Sequence, residues 1–179
     1  MKRLRTIILT VALCALPVCM SAKTERETPS YRQKGYAGSI SIADMFIYFA
    51  GLDTSHGYMF NEHHYIGGGL EMYFTPTFWP AVVSYIEPYI EYKAYFLKRG
   101  STPTASIRAG YCVGAIVDRQ VEKPDVIYAD GMCFELNPAL GWDWGLKNGK
   151  GLTLSLGAQL MLADYEVLAL PKISFGFCF

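Results

Sequence analysis

The sequence of 179 residues has no hydrophobic run long enough to span a membrane as a helix. Its longest apolar stretch, residues 6–18, contains 13 residues, whereas a membrane-spanning helix needs about 20. The chain contains only three histidines and five cysteines, and its 16 basic residues are balanced by 16 acidic ones. These shortages exclude a helical membrane protein and argue against both a nucleic-acid-binding protein and a disulfide framework.

The short apolar run has the features of an export signal. Three of the first five residues are basic, and the small residues Ser21 and Ala22 follow the run. This order predicts a cleaved secretory signal peptide over residues 1–22. Its removal leaves 13 basic and 16 acidic residues, so the mature chain carries a charge near −3 and gives no reason to expect a nucleic-acid partner.

Seventeen glycines, 13 tyrosines and 10 phenylalanines are typical of a β-protein. Within residues 151–163, leucines at positions 152, 154 and 156 alternate with Thr153, Ser155 and Gly157. A strand places such leucines on one side, and a helix cannot. Similar alternation predicts seven further strands, at residues 38–48, 54–60, 65–74, 83–96, 104–117, 132–144 and the C-terminal segment.

The final strand indicates the kind of barrel. Ile173, Phe175, Phe177 and Phe179 share one face, and the other face carries small residues. Apolar side chains toward lipid and small ones toward the lumen are typical of a transmembrane strand. With an even strand count, we predict an all-β, eight-stranded antiparallel up-and-down transmembrane barrel over residues 35–179, in which the last strand pairs with the strand near residue 40. A periplasmic leader is predicted over residues 23–34.

The connections fit this topology if both chain ends are periplasmic. Short periplasmic turns are then predicted at residues 61–64, 97–103 and 147–150, and the longer outward connections at residues 75–81 and 118–130. Pro88 lies inside a predicted strand, where its missing N–H predicts a bulge or weak pairing.

The face with many small residues also carries charge. It contains a predicted lumen polar network of Glu71, Glu87, Glu91, Lys93, Arg108, Glu135, Asp143 and Gln159. An eight-stranded barrel is just wide enough for side chains to fill it, so a plugged lumen is expected. Because unpaired buried charges are costly, Lys93 and Arg108 should each contact one or two of these carboxylates, with Glu87 and Glu91 paired to them.

Aromatic residues near the strand ends are expected to form a membrane girdle. These residues are Trp79, Trp142, Trp144 and Phe179. On the opposite, small face lie Cys112, Cys133 and Cys178, the three cysteines that remain after signal cleavage. Buried thiols are favoured for them, with a Cys112–Cys133 disulfide as the alternative.

Two neighbouring segments resemble a known family. Residues 55–61 read SHGYMFN, and residues 65–74 read YIGGGLEMYF. They are similar to small outer-membrane β-barrel proteins of Bacteroides-type bacteria, in which a T-H-G-Y-x-F-N segment precedes an aromatic residue and a G-G-G strand. The mature chain also looks like the OmpA transmembrane domain and the OmpX-like barrels. This resemblance implies a fold and a location in the outer membrane, and it implies no reaction.

We therefore predict a monomeric outer-membrane barrel with a structural or surface-interaction role, no enzymatic activity and no cofactor. Its expected partners are outer-membrane lipid, lipopolysaccharide and the barrel-assembly machinery. His63 and His64 do not predict a metal site, because adjacent turn residues point in different directions. Ser55 and His56 cannot form a nucleophile–base pair, because neighbours on a strand face opposite sides.

Two alternatives stay open from the sequence. The first is a soluble lipocalin-like barrel, in which the alternation is inverted and leucines line a ligand cavity. The second is an outer-membrane enzyme that modifies lipid A, which would need a serine, a histidine and an acid brought together from different strands.

Overall fold

The computed structural model describes residues 32–45, 49–74, 81–118, 126–146, 149–163 and 166–179. The strands are β1 (Gly35–Met45), β2 (Phe49–Met59), β3 (His64–Phe74), β4 (Ala81–Tyr95), β5 (Ser101–Asp118), β6 (Val126–Gly145), β7 (Gly151–Ala163) and β8 (Glu166–Cys178). Each strand pairs antiparallel with the next, and β8 pairs with β1, so the sheet closes into an eight-stranded barrel. The predicted fold class is confirmed.

None of the described residues belongs to a helix that is long and apolar enough to cross a membrane.

The closing pair joins the two ends of the sheet. Ile40 lies opposite Phe177, and Ile42 lies opposite Phe175. Gly38 and Phe179 exchange two backbone hydrogen bonds of 2.9 Å each, so the pairing extends to the final residue. The last strand therefore pairs with the strand near Ile40, as predicted.

Burial alternates along the strands and separates an inner from an outer face. On β3, Glu71 and Tyr73 are buried, whereas Leu70, Met72 and Phe74 are exposed. The other strands follow the same rule, because side chains in a strand point alternately to its two faces. Charged and small residues therefore lie inside the barrel and leucines outside, which excludes the lipocalin-like alternative with a leucine-lined cavity.

The β5–β6 hairpin is longer than predicted. β5 contains 18 residues and β6 contains 20, so they take up residue 118 and residues 126–130 of the segment predicted as a long outward connection at residues 118–130. Val126, Ile127 and Tyr128 pair within this hairpin, because β-branched and aromatic residues favour strands. The connection between these strands shrinks to residues 119–125, which lie outside the described residues.

One backbone irregularity lies at Pro88, as expected, and a second lies where none was predicted. Pairing of β4 with β5 lapses at Glu87 and Pro88, but the register is unchanged on either side. Proline cannot donate a ladder hydrogen bond, so the result is weak pairing without a bulge. The register shift lies instead between β5 and β6, between Cys112 and Gly114.

The three turns predicted as periplasmic lie at the end of the barrel where β1 begins and β8 ends, and we call this end the terminal end. Asn61 orders the first of them, because its Oδ1 accepts hydrogen bonds from the backbone N–H groups of His63 and His64. In the third, Gly149 has a φ angle of +73°, which glycine adopts without strain. Predicted features at residues 1–31, 75–80 and 147–148, including the signal peptide, lie outside the described residues.

Candidate functional site in the barrel lumen

The centre of the lumen is built around Arg108. This side chain comes from β5 and reaches three carboxylates: Asp53 Oδ2 at 2.9 Å, Glu91 Oε1 at 3.2 Å and Glu71 Oε2 at 3.7 Å. Its guanidinium also lies 4.6 Å from the centre of the Tyr89 ring. A planar guanidinium with five donors suits a position between several acids. We call this set of side chains the central layer.

Lys172, from β8, is the second cation of the central layer. Its Nζ lies 2.6 Å from Glu71 Oε2 and 5.3 Å from the centre of the Tyr73 ring. The Tyr73 hydroxyl donates to the other Glu71 oxygen at 2.5 Å. Both oxygens of this buried carboxylate therefore have partners, as a buried charge requires.

Hydroxyl groups complete the central layer. Asp53 accepts hydrogen bonds from Ser41, at 2.7 Å, and from the hydroxyl of Tyr89. The Ser55 hydroxyl donates to Glu91 Oε2 at 3.1 Å and lies 2.7 Å from the hydroxyl of Tyr65. Acids, bases and hydroxyls from β1, β2, β3, β4, β5 and β8 thus meet across the barrel.

Asp53 and Lys172 are central residues that the sequence analysis missed. Asp53 lies just before the strand predicted at residues 54–60, although it continues the period-two pattern of Ser55 on the inner face of β2. Lys172 likewise continues the inner pattern of Ser174 and Gly176 on β8. Extending each strand by one or two alternations would have found both residues.

Arg32 lies inside the barrel at the terminal end, although residues 23–34 were predicted as a leader. It is buried, and its Nη2 donates to the backbone oxygens of Leu97 and Arg99 at 2.9 and 2.8 Å. Its Nη1 lies 3.9 Å from Asp143 Oδ1, and the guanidinium lies 4.6 Å from the centre of the Tyr95 ring. Arg32 therefore neutralises Asp143, one of the carboxylates expected to contact Lys93 or Arg108.

The expectation that Lys93 contacts a carboxylate is wrong. Its Nζ lies 3.2 Å from Thr153 Oγ1 and 5.4 Å from the centre of the Tyr95 ring. No carboxylate oxygen of the described residues lies within the 4.0 Å of an ion pair. The nearby acids are already engaged, because Glu91 binds Arg108 and Asp143 binds Arg32.

A cavity of about 670 Å³ lies between the central layer and the terminal end. Its lining contains five cations and one acid: Arg32, Lys34, Lys93, Arg108, Lys172 and Glu91. The rest of the wall includes serines at positions 39, 41, 106, 155 and 174 and the glycine at position 157. These small side chains leave this half of the lumen incompletely filled, unlike the fully plugged interior that was expected.

The half of the lumen away from the terminal end is acidic. Glu87 and Glu135 are buried beside the Cys112 thiol, which lies 3.1 Å from Glu135 Oε2. Glu87 hydrogen-bonds Glu135. The expectation that Glu87 pairs with Lys93 or Arg108 is therefore wrong. Gln159 lies next to this region, with its Nε2 donating to the Tyr85 hydroxyl at 3.2 Å.

The three cysteines among the described residues are free, buried thiols. Cys112 and Cys133 lie directly opposite each other on β5 and β6, yet they are not linked. Cys178 lies at the terminal end of the lumen, lining the cavity.

The predicted girdle residues that the structure describes lie at the terminal end. Trp142 is half-buried and donates to Ser101 Oγ at 2.7 Å, and Trp144 and Phe179 are each 39% exposed on the outer face. Trp79 lies outside the described residues. The same outer rim also carries aromatic and imidazole rings that were not predicted, including Tyr36 with His56 and Tyr92 with His64.

Ser55 and His56 lie on opposite sides of β2. Ser55 is fully buried in the lumen, whereas His56 is on the outer face, with Nδ1 2.6 Å from the Tyr36 hydroxyl and Nε2 2.9 Å from Thr54 Oγ1. His63 and His64 contact the Tyr95 backbone oxygen and the Tyr92 hydroxyl, at 2.7 and 2.8 Å. These contacts use the histidines in local hydrogen bonds at the rim.

No protein-family model matches the chain, and no curated protein matches it in sequence. Solved structures match in fold. The N-terminal β-barrel domain of Pseudomonas aeruginosa OprF has a TM-score of 0.54 at 11% identity, covering 82% of this chain and 98% of that one. Neisserial surface protein A has a TM-score of 0.54 at 11% identity, covering 81% and 94%. Ail of Yersinia pestis has a TM-score of 0.47 at 10% identity, covering 82% and 100%. The first two share the small barrel fold with this chain.

Proposed function

We propose that this protein is an integral outer-membrane β-barrel that spans the bilayer as a monomer. The observation that carries the proposal is its outer face, which is apolar on all eight strands. One exposed residue from each strand illustrates the belt: Ile42, Leu52, Ile66, Ile90, Val113, Leu140, Leu156 and Phe175. A water-soluble protein buries such side chains and exposes its charges, and this barrel does the reverse. A closed barrel also pairs the backbone groups that lipid cannot solvate.

We further propose that the lumen does not conduct solutes. The proposal is supported by the central layer, where Arg108 and Lys172 join carboxylates from β2, β3 and β4 across the interior. The cavity on its terminal side has room for water or a small solute, but passage through the barrel would require these ion pairs to separate. Separating a buried pair is strongly unfavourable.

The proposed role is structural or in surface interaction, without catalysis. Support comes from Ser55 and His56, which cannot meet because they lie on opposite faces of β2. The central-layer carboxylates are held by cations and hydroxyls, which leaves them unsuited to act as free bases. We propose that lipid, lipopolysaccharide and the barrel-assembly machinery are the partners, and that surface contacts fall on the connections opposite the terminal end.

Fractionation and conductance test these proposals separately. The full chain, exported in a Gram-negative host, should appear in the outer membrane and require detergent for release. The purified barrel, inserted into planar bilayers, should give no steady current above that of the empty bilayer. Recovery as a soluble periplasmic protein would refute the membrane proposal. A stable current from membrane-inserted protein would refute only the closed lumen.

The apolar belt can also be tested by substitution. Leu156 is 55% exposed near the middle of β7, so Leu156→Arg should lower the free energy of unfolding in vesicles by about 2–4 kcal/mol. Leu146, which follows β6 at the terminal end, is the matched control, and Leu146→Arg should cost about 0–1 kcal/mol. Equal, small costs at both positions would argue against a lipid-facing belt.

A further inference from the structure

Two carboxyl groups and a thiol meet in the acidic half of the lumen. Glu87, Cys112 and Glu135 come from β4, β5 and β6, and each is less than 5% exposed. One ligand atom from each of these residues lies within 4.8 Å of the other two. We call these three residues the acid–thiol cluster.

The cluster has acceptor atoms without partners. Among the described residues, Glu87 Oε2 and Glu135 Oε1 are buried and have no hydrogen-bond partner. Within the described ranges of the chain, no lysine or arginine nitrogen lies within 4.0 Å of either carboxyl group. Two adjacent buried carboxyl groups cannot both be charged unless a cation is shared between them. Their surroundings therefore require either a retained proton or a bound cation.

The backbone leaves space for this arrangement. Gly110 lies opposite Glu135, and a Cβ added to Gly110 would collide with Glu87 Oε1 and lie 2.8 Å from Glu87 Cδ. The Glu87 carboxyl thus occupies the place where most residues at position 110 would put a side chain. The absence of a side chain at Gly110 is what allows the two carboxyl groups to approach each other.

The structure assigns to the acid–thiol cluster a binding site for one thiophilic divalent cation of the zinc class. Carboxylate oxygen and cysteine sulfur are both ligands of Zn²⁺, which binds four ligands tetrahedrally. A thiol ligand disfavours Mg²⁺ and Ca²⁺, which prefer oxygen. The three protein ligands leave the fourth position for a water molecule. Binding releases the thiol proton, and any proton held between the two carboxyl groups, to solvent.

The experiment is metal loading of the refolded barrel. Denatured chain is refolded into detergent with Zn²⁺ or Cd²⁺, dialysed against metal-free buffer, and analysed for bound metal. The native sequence should retain about one metal ion per chain, and the Cd²⁺ form should show the ultraviolet charge-transfer absorption of a cadmium–thiolate bond. Glu87→Gln, Glu135→Gln and Cys112→Ser should each weaken binding at least tenfold, and Cys112→Ser should remove or reduce the absorption.

Two variants in the other half of the lumen serve as controls. Cys178→Ser removes a buried thiol, and Glu91→Gln removes a buried acid that contacts Arg108. Both should keep the metal. Comparing gel migration before and after heating shows whether each variant has folded. If a glutamine variant does not fold, Cys112→Ser with the cadmium spectrum is sufficient. A folded native barrel that retains no metal, or retention unchanged in Cys112→Ser, would overturn the assignment and leave a proton shared between the two carboxyl groups.

Discussion

The central layer and the acid–thiol cluster both lie on the inner face of the barrel, but their buried carboxyl groups have different kinds of partner. Glu87 and Glu91 lie four residues apart on the inner face of β4. Glu91 meets the guanidinium of Arg108, whereas Glu87 meets a second carboxyl group, that of Glu135. Alternation explains why both are buried. The register between neighbouring strands decides which partner each one finds, because Arg108 lies directly opposite Glu91.

The largest effect should come from removing the cation at the centre of the central layer. Arg108→Met leaves Asp53 and Glu91 without their cation, and we expect the free energy of unfolding in vesicles to fall by about 3–5 kcal/mol. Lys93→Met is the matched control, because Lys93 touches Thr153 and the Tyr95 ring rather than an acid. It should cost about 1 kcal/mol or less. Urea titration followed by tryptophan fluorescence measures both, and equal costs would contradict the central role of Arg108.

Removing an acid should give the second-largest effect on the free energy of unfolding, and the effect should differ between the two regions. Glu71→Gln deprives Lys172 and Arg108 of a charged acceptor, so we expect a loss of about 1.5–3 kcal/mol in the free energy of unfolding. Glu87→Gln relieves the crowding of two carboxyl groups, so in metal-free barrel it should change the free energy by less than about 1 kcal/mol. The same urea titration compares them. A larger loss from Glu87→Gln would mean that its carboxyl has a stabilising partner.

The smallest expected effect concerns the space above Gly110. Gly110→Ala forces the Glu87 side chain to move, which should cost about 1 kcal/mol, at the low end for overpacking, because that side chain is flexible. Gly68→Ala is a suitable control, since its added Cβ would meet only the Tyr89 backbone oxygen, at 3.2 Å. Metal retention should fall in Gly110→Ala and not in Gly68→Ala. Unchanged metal retention in both variants would mean that the proposed cation site does not depend on the position of the Glu87 side chain.

The strand faces could be predicted from the sequence, because burial follows directly from the period-two pattern. This pattern identified eight strands and placed Glu71, Glu135 and Gln159 on the inner face, where the structure has them. It failed at strand boundaries, where the predicted segments were too short. Asp53 was missed for this reason, whereas Arg32 was missed because it precedes β1 and belongs to no strand.

The partners of the inner residues could not be predicted, because they depend on register and reach across the barrel. Lys172 and Glu71 are 101 residues apart in the chain, yet their charged groups touch. Nothing in the pattern of either strand indicates that Lys172 takes a role expected of Lys93. The position of the cavity has the same origin, because small residues on several strands must coincide at one level of the barrel.

The central claim is that the apolar face of each strand lies against lipid and the polar face lies inside. Spin labels attached one at a time to cysteines introduced along residues 152–160 of β7, in refolded barrel with the native cysteines replaced by serine, test this claim most directly. In lipid vesicles, the collision rate with oxygen, which concentrates in lipid, should alternate with a period of two. It should be high at Leu154 and Leu156, which are exposed, and low at Thr153 and Gln159, which are buried. A profile without alternation, or one in which a water-soluble relaxer reaches Leu154 and Leu156, would contradict the account.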